Sequence, residues 1–110
     1  AKDMIISGGF NVYPKEVEAV IDRMDGVVES AVIGLPHPDF GEGVAAVVER
    51  RRDQADLTEA LIIHRLKAEL ANFKVPKRVF VVDALPRNDI GKVRKHILRE
   101  RYWQAFWSGI

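Results

Sequence analysis

Short apolar runs and amphipathic stretches alternate along this chain, with no internal repeat and no low-complexity tract between them. That alternation limits the fold, because strands and helices in turn bury their apolar sides by layering helices on a sheet. Met4-Ile5-Ile6 and Asn11-Val12-Tyr13 flank Ser7-Gly8-Gly9-Phe10. Two β-prone pieces around Gly-Gly predict a hairpin, since glycine takes the left-handed turn positions without steric penalty. Pro14 then opens a helix at a position where its missing N–H matters least. Val17, Val20, Ile21 and Met24 form one apolar stripe, Glu16, Glu18 and Asp22 face away, and Gly26 marks the expected stop.

Val27 to Leu35 reads as a strand that halts at the turn-forming cluster Pro36-His37-Pro38-Asp39. Gly43 to Val48 is a second apolar strand, closed by the charged block Glu49 to Asp53. A helix is predicted over Leu57 to Leu70, with Asp56 and Glu59 as a capping box and Ile62, Ile63, Leu66 and Leu70 inward. Val79 to Val82 is a third buried strand, and Asp83 to Gly91 a loop. The last helix is amphipathic and carries Ile97, Leu98, Tyr102 and Phe106, while Trp103, Phe106 and Trp107 are expected to pack as core or cover. The predicted fold is α+β: a small mixed β-sheet with an N-terminal β-hairpin, its helices returning to one face.

A chain of 110 residues makes one domain, here 1–110. Its formal charge of +1 offers no whole-molecule attraction to nucleic acid or an anionic membrane. With no aromatic-rich nucleic-acid-binding strand either, a nucleic-acid partner is not expected. The chain has no cysteine, so disulfides, thiolate nucleophiles and cysteine-ligated zinc are excluded. No apolar run approaches the roughly 18–20 residues of a membrane span, and no signal-peptide pattern opens the chain. The chain starts on Ala1-Lys2-Asp3 without an initiator Met, which predicts a piece of a longer protein.

Gly41-Glu42-Gly43-Val44-Ala45-Ala46 matches a dinucleotide fingerprint in letters only. Strand-like residues follow it where a helix N-terminus is required, so it reads as a turn before a strand. Gly91-Lys92 lacks the upstream glycine and following Ser or Thr of a phosphate loop. His37, His64 and His96 have no metal-type spacing, and no metal site is expected. The segment Leu85-Pro-Arg-Asn-Asp-Ile-Gly-Lys-Val-Arg-Lys95 differs in placing Lys92 after Gly91 between a loop and a helix. Glycine there permits a left-handed backbone or close approach to another surface. A lysine ammonium is a compact cation suited to phosphate or carboxylate oxygens. Taken alone, Gly-Lys also fits a solvated turn, and Lys92, Arg94, Lys95, Arg99 and Arg101 a solvated basic stripe.

Three blocks change that balance. Lys2-Asp-Met-Ile-Ile-Ser-Gly-Gly-Phe-Asn-Val-Tyr-Pro-Lys-Glu-Val-Glu18 resembles the hinge-plus-hairpin motif of adenylate-forming acyl-CoA synthetases. Ala31 to Glu42, ending Gly-Leu-Pro-His-Pro-Asp-Phe-Gly-Glu, is similar to that family's next block. Phe73-Lys74-Val75-Pro76 with Leu85-Pro86-Arg87-Asn88 and Gly91-Lys92 is similar to its last block. The wording is nearest to malonyl-CoA synthetase-like and medium-chain acyl-CoA ligases.

The resemblance implies a mobile C-terminal domain beside a larger N-terminal adenylation domain in cis, which holds ATP, Mg²⁺ and the carboxylate and sets its choice. Lys92, supported by Gly91, matches the lysine that enters for adenylation. Lys2 matches the hinge residue, placing the hinge near 1–3. Gly8, Gly9 and Phe10 match the hairpin that enters when the acyl-adenylate meets CoA. A cytoplasmic ligase is expected, with the fragment alone inactive. An exposed, flexible Lys92 loop would also be open to a protein lysine acetyltransferase, which would erase its charge. The alternative is a stand-alone αβ-sandwich regulatory or interaction module in which Lys92 is surface charge only.

Overall fold

A computed structural model describes residues 3–104. In chain order the elements are β1 (Ile5–Ser7), β2 (Phe10–Val12), α1 (Pro14–Asp22), β3 (Val27–His37), β4 (Gly41–Arg50), α2 (Glu59–Glu69), β5 (Arg78–Val82) and α3 (Lys95–Tyr102), with a 3₁₀ turn at Asn72–Lys74. The expected order of hairpin, helix, two strands, helix, strand, loop and helix is the observed one.

β4 is the spine of the sheet. β3 runs antiparallel along one edge, from His37 opposite Gly41 to Val27 opposite Arg50, with a bulge between Val27 and Glu29. The other edge is shared: β1 touches it at Ser7–Gly41, and β5 lies parallel to it from Ala45–Arg78 to Glu49–Val82. The sheet is therefore mixed, and β2 extends it outward through β1.

Both faces of β3 and β4 are apolar, which is why these strands read as unbroken runs. Val32, Val44, Ala46 and Val48 face one way and pack with Val17, Val20 and Ile21 of α1 and Ile62 and Leu66 of α2. Ala31, Ile33, Leu35, Ala45 and Val47 face the other way, under Leu98 of α3 and Leu85. Phe80 and Tyr102 close that second core, their rings stacked 4.1 Å apart. The helices thus cover both faces, a correction to the expected one-face packing: a strand apolar on alternate and intervening positions needs cover on each side.

Four local expectations also shift. α1 ends at Asp22 with Arg23 as its cap, so Gly26, at φ +92°, serves the following turn. β3 runs through Pro36 and His37 because it is an edge strand, where proline's missing N–H breaks no ladder bond. The cap of α2 is Thr58, whose hydroxyl accepts from the Leu61 N–H at 3.3 Å. Glu59 instead reaches across to Val79 N at 2.8 Å and Arg78 Nε at 3.1 Å. Trp103 is 52% exposed and is not core; Phe106 and Trp107 lie outside the described residues.

Candidate functional site

The loop before α3 is built around Asn88. Its side-chain Oδ1 accepts from the backbone N–H of Ile90 at 3.0 Å and of Lys92 at 2.9 Å. Its own N–H donates to the Lys92 carbonyl at 2.8 Å, and the Gly91 N–H returns to the Asn88 carbonyl at 3.0 Å. Gly91 closes this tight turn at φ +85°, a left-handed conformation that a side chain would strain. Beneath it, Arg87 pairs with Val93 as a β-bridge and the Arg94 N–H donates to the Pro86 carbonyl at 2.9 Å.

The Arg87 guanidinium locks this turn to the sheet. It donates to Glu29 of β3, to Glu49 of β4 at 2.9 Å and to the Gly91 carbonyl at 3.1 Å. Glu49 also accepts from the Leu85 N–H at 3.0 Å. The hydrogen bonds it donates to both carboxylates raise the Arg87 pKa further above its ordinary value, so the cation is permanent. The outcome is a rigid turn presenting one exposed ammonium, that of Lys92, which makes no ion pair with any described residue. The expected flexible loop is corrected on this point: the backbone is hydrogen-bonded at nearly every step, while the Lys92 side chain is exposed.

Of the basic stripe expected to be solvated, Lys95 departs from that reading. Lys95 is largely covered and spans Asp3 at 2.7 Å and Glu18 at 2.9 Å. Glu18 in turn accepts from the Val32 N–H at 2.8 Å. An open cleft of about 650 Å³ runs between this network and the turn, lined by Tyr13, Lys15, Ser30, Lys92 and Lys95 among others.

The hairpin is organised differently. Gly8 and Gly9 have φ +57° and +85°, the consecutive left-handed pair that a two-residue hairpin of matching twist requires. The Gly8 N–H donates to the Phe40 carbonyl at 3.1 Å, and a Cβ on Gly8 would stand 3.3 Å from the Phe40 ring. A Cβ on Gly9 would meet nothing within 4 Å, so that edge is bare backbone. Phe10 is 54% exposed and stacks on Phe73 at 4.6 Å. Phe40 stacks on His37 at 4.4 Å, with the Lys77 ammonium 4.5 Å above it. Gly8, Phe10, Phe40, Phe73 and Lys77 line a groove of about 170 Å³.

The structure therefore brings Gly8, Gly9 and Phe10 together on one surface, and Gly91 with Lys92 on another. The two concavities share no lining residue. Lys2 lies outside the described residues, but its neighbour Asp3 is held by Lys95. Sequence reasoning missed the support of Lys92 by Arg87, Asn88, Glu29 and Glu49. Asn88 carried a readable signal, since asparagine readily bonds backbone N–H groups two residues on; the two strand carboxylates carried none. Among the described residues no group of three or more His, Cys, Asp or Glu side chains is placed to hold a metal ion.

Comparisons with known proteins show which proteins share this sequence and fold. The chain is 50% identical over 101 residues to long-chain-fatty-acid–CoA ligase FadD13 of Mycobacterium tuberculosis, covering 92% of this chain and 20% of that protein. It is 50% identical over 99 residues to a 4-chlorobenzoate–CoA ligase of Arthrobacter, covering 89% and 18%. The crystal structure of apo MatB from Rhodopseudomonas palustris superposes with a TM-score of 0.91 at 58% identity, over 96% of this chain and 21% of that one. The chain thus spans about one fifth of the length of the curated relatives it matches. Residues 16–92 match the AMP-binding enzyme C-terminal domain. With the fold also shared, this chain belongs to the AMP-binding enzyme C-terminal domain family.

Proposed function

We propose that this chain is the mobile C-terminal domain of an ATP-dependent acyl-CoA synthetase, which converts a carboxylate, ATP and CoA to acyl-CoA, AMP and pyrophosphate. The observation that carries the reading is the separation of two surfaces on one body: a single exposed ammonium on a braced turn, and a bare glycine edge beside aromatic rings. Each surface suits one half-reaction. In the first, a carboxylate oxygen attacks the α-phosphorus of ATP and pyrophosphate leaves. Negative charge gathers as that bond forms, and the Lys92 ammonium, aimed there by a rigid turn, lowers the repulsion. In the second, the CoA sulfur attacks the acyl carbon and AMP leaves. The pantetheine arm needs a narrow path, which Gly8-Gly9 can border without side chains.

One site cannot hold both surfaces at once, so the domain turns between the steps, with Lys2 as the hinge. Relatives of equal identity bear names of ligases for unlike acids, a long-chain fatty acid and 4-chlorobenzoate. This supports placing choice of acid in the N-terminal adenylation domain that we assign in cis. Mg²⁺, which would neutralise phosphate charge, is assigned to that domain and to no residue of this chain. An enzyme drawing on ATP and CoA is placed in the cytoplasm; no helix among the described residues is long and apolar enough to cross a membrane. Exposed Lys92 is also proposed as a substrate for a protein lysine acetyltransferase, acetylation cancelling the charge that adenylation uses.

The test is to assay the full-length protein for thioester and AMP formation dependent on carboxylate, ATP and CoA, beside this 110-residue chain alone. The full-length protein should turn over and the chain alone should not. Thioester formation by the chain alone would overturn the assignment.

A further inference from the structure

The cleft beside Lys92 contains a second unpaired cation that the half-reaction above does not use. Three carboxylates line this cleft, each in an ion pair: Asp3 and Glu18 share Lys95, and Glu29 shares Arg87 with Glu49. Lys15 and Lys92 line the same cleft with no carboxylate partner among the described residues. The other described lysines behave otherwise. Lys74 pairs with Glu16 at 2.8 Å, Lys77 lies over the Phe40 ring, and Lys67 stands unpaired on the solvent side of α2.

Two ammonium groups without an ion pair among the described residues line one concavity, and together they can meet an anion with more charge than one lysine can neutralise. Their spacing is held by the body of the domain. Lys15 sits in the first turn of α1, and Glu18, one turn on, is tied to Lys95 at 2.9 Å and to the Val32 N–H at 2.8 Å. Lys95 opens α3 directly after the Lys92 turn. Both cations therefore move as a unit.

Resting on the acyl-CoA synthetase reading, we propose that Lys15 is a second phosphate-contacting residue, binding the polyphosphate of ATP in the adenylation orientation while Lys92 faces the reacting carboxylate and α-phosphate. When the domain turns away, both cations withdraw together, weakening the hold on pyrophosphate as it must leave.

The experiment compares Lys15→Gln, Lys15→Arg and, as a lysine outside the cleft, Lys67→Gln in the full-length enzyme. ATP–pyrophosphate exchange reads adenylation, and CoA transfer from supplied acyl-adenylate reads the second step. Lys15→Gln should raise the KM for ATP and the KM for pyrophosphate each by about five- to tenfold, with CoA transfer unchanged, as expected for one exposed charged contact to phosphate. Lys15→Arg should restore both constants to within about twofold of the parent, and Lys67→Gln should match the parent. Unchanged constants in Lys15→Gln, or an equal loss in both half-reactions, would overturn the proposal. Lys92→Ala, run in parallel, separates the two readings. Normal adenylation in that variant would remove the catalytic assignment on which this one rests, whereas a large defect beside a silent Lys15→Gln would remove the Lys15 assignment alone.

Discussion

The Lys92 turn and the Gly8-Gly9 hairpin are both short reversals, yet they are held by different physics. The turn is held by side chains: Asn88 replaces backbone partners, and Arg87 reaches back to two strands of the sheet. The hairpin is held by backbone conformation, two consecutive left-handed glycines, with rings stacked around it. On the acyl-CoA synthetase reading proposed above, the difference follows from what each must present. A charge has to arrive at one point, so its base is braced by many directional bonds. A path for a flexible arm has to stay open, so on that reading its Gly9 edge carries no side chain.

The contrast can be broken most severely at Lys92. Lys92→Ala in the full-length enzyme should slow adenylation by about 10²–10³, the usual effect of losing one electrostatic contact to a developing charge. Its thermal unfolding should match the parent, since the side chain is exposed. Next comes Gly9→Leu, which places a side chain on the bare edge. CoA transfer should fall by about tenfold through a displaced thiol, and the left-handed backbone should add strain of about 1–2 kcal/mol, visible in denaturant unfolding. Gly9→Asn, which tolerates that conformation, should recover most of the stability.

Arg87→Met sharpens the comparison from the other side by removing the brace without touching the exposed ammonium. It leaves Glu49, only 16% exposed at its side chain, without its cation. The domain should lose about 2 kcal/mol by denaturant unfolding, and adenylation should drop more than CoA transfer. Asn88→Ala should lose about 1 kcal/mol, while Asn88→Asp, which still accepts from both N–H groups, should lose less.

The smallest expected effect lies outside both regions. Burial raises the Asp22 carboxyl above its ordinary 3.8, with the Ser30 hydroxyl, 2.7 Å away, pulling it back down. A raised carboxyl favours the fold in acid and loses that contribution as pH rises through its folded value. Asp22→Asn, which keeps an oxygen for Ser30, should therefore gain stability at pH 7, held to about 0.3 kcal/mol by solvent screening. The gain should vanish near pH 3, as thermal unfolding at the two pH values would register.

What was legible in the chain was local. Gly8-Gly9 between β-prone triplets and Pro14 at a helix start each name their structure within a few residues, and Gly91-Lys92 stood out for the same reason. What was not legible depended on pairing across the sheet. Glu29 and Arg87 are separated by 58 residues and Glu49 and Arg87 by 38, so nothing near either carboxylate announces its role. The double-sided burial of β3 and β4 was present as unbroken apolar runs, but only the position of Leu98 shows that α3 covers the second face. Thr58 outcompeted Asp56 as cap because the β-strand needed Glu59 elsewhere, at the Val79 N–H.

The central claim is that two surfaces of one rigid body serve two half-reactions in turn. It is tested most directly by the ratio of adenylation rate to CoA-transfer rate, measured for Lys92→Ala and Gly9→Leu in the same full-length enzyme and compared with the parent. The ratio should fall about 10²–10³ for Lys92→Ala and rise about tenfold for Gly9→Leu. Ratios that move in the same direction, or that both stay at the parent value while the rates fall, would contradict it.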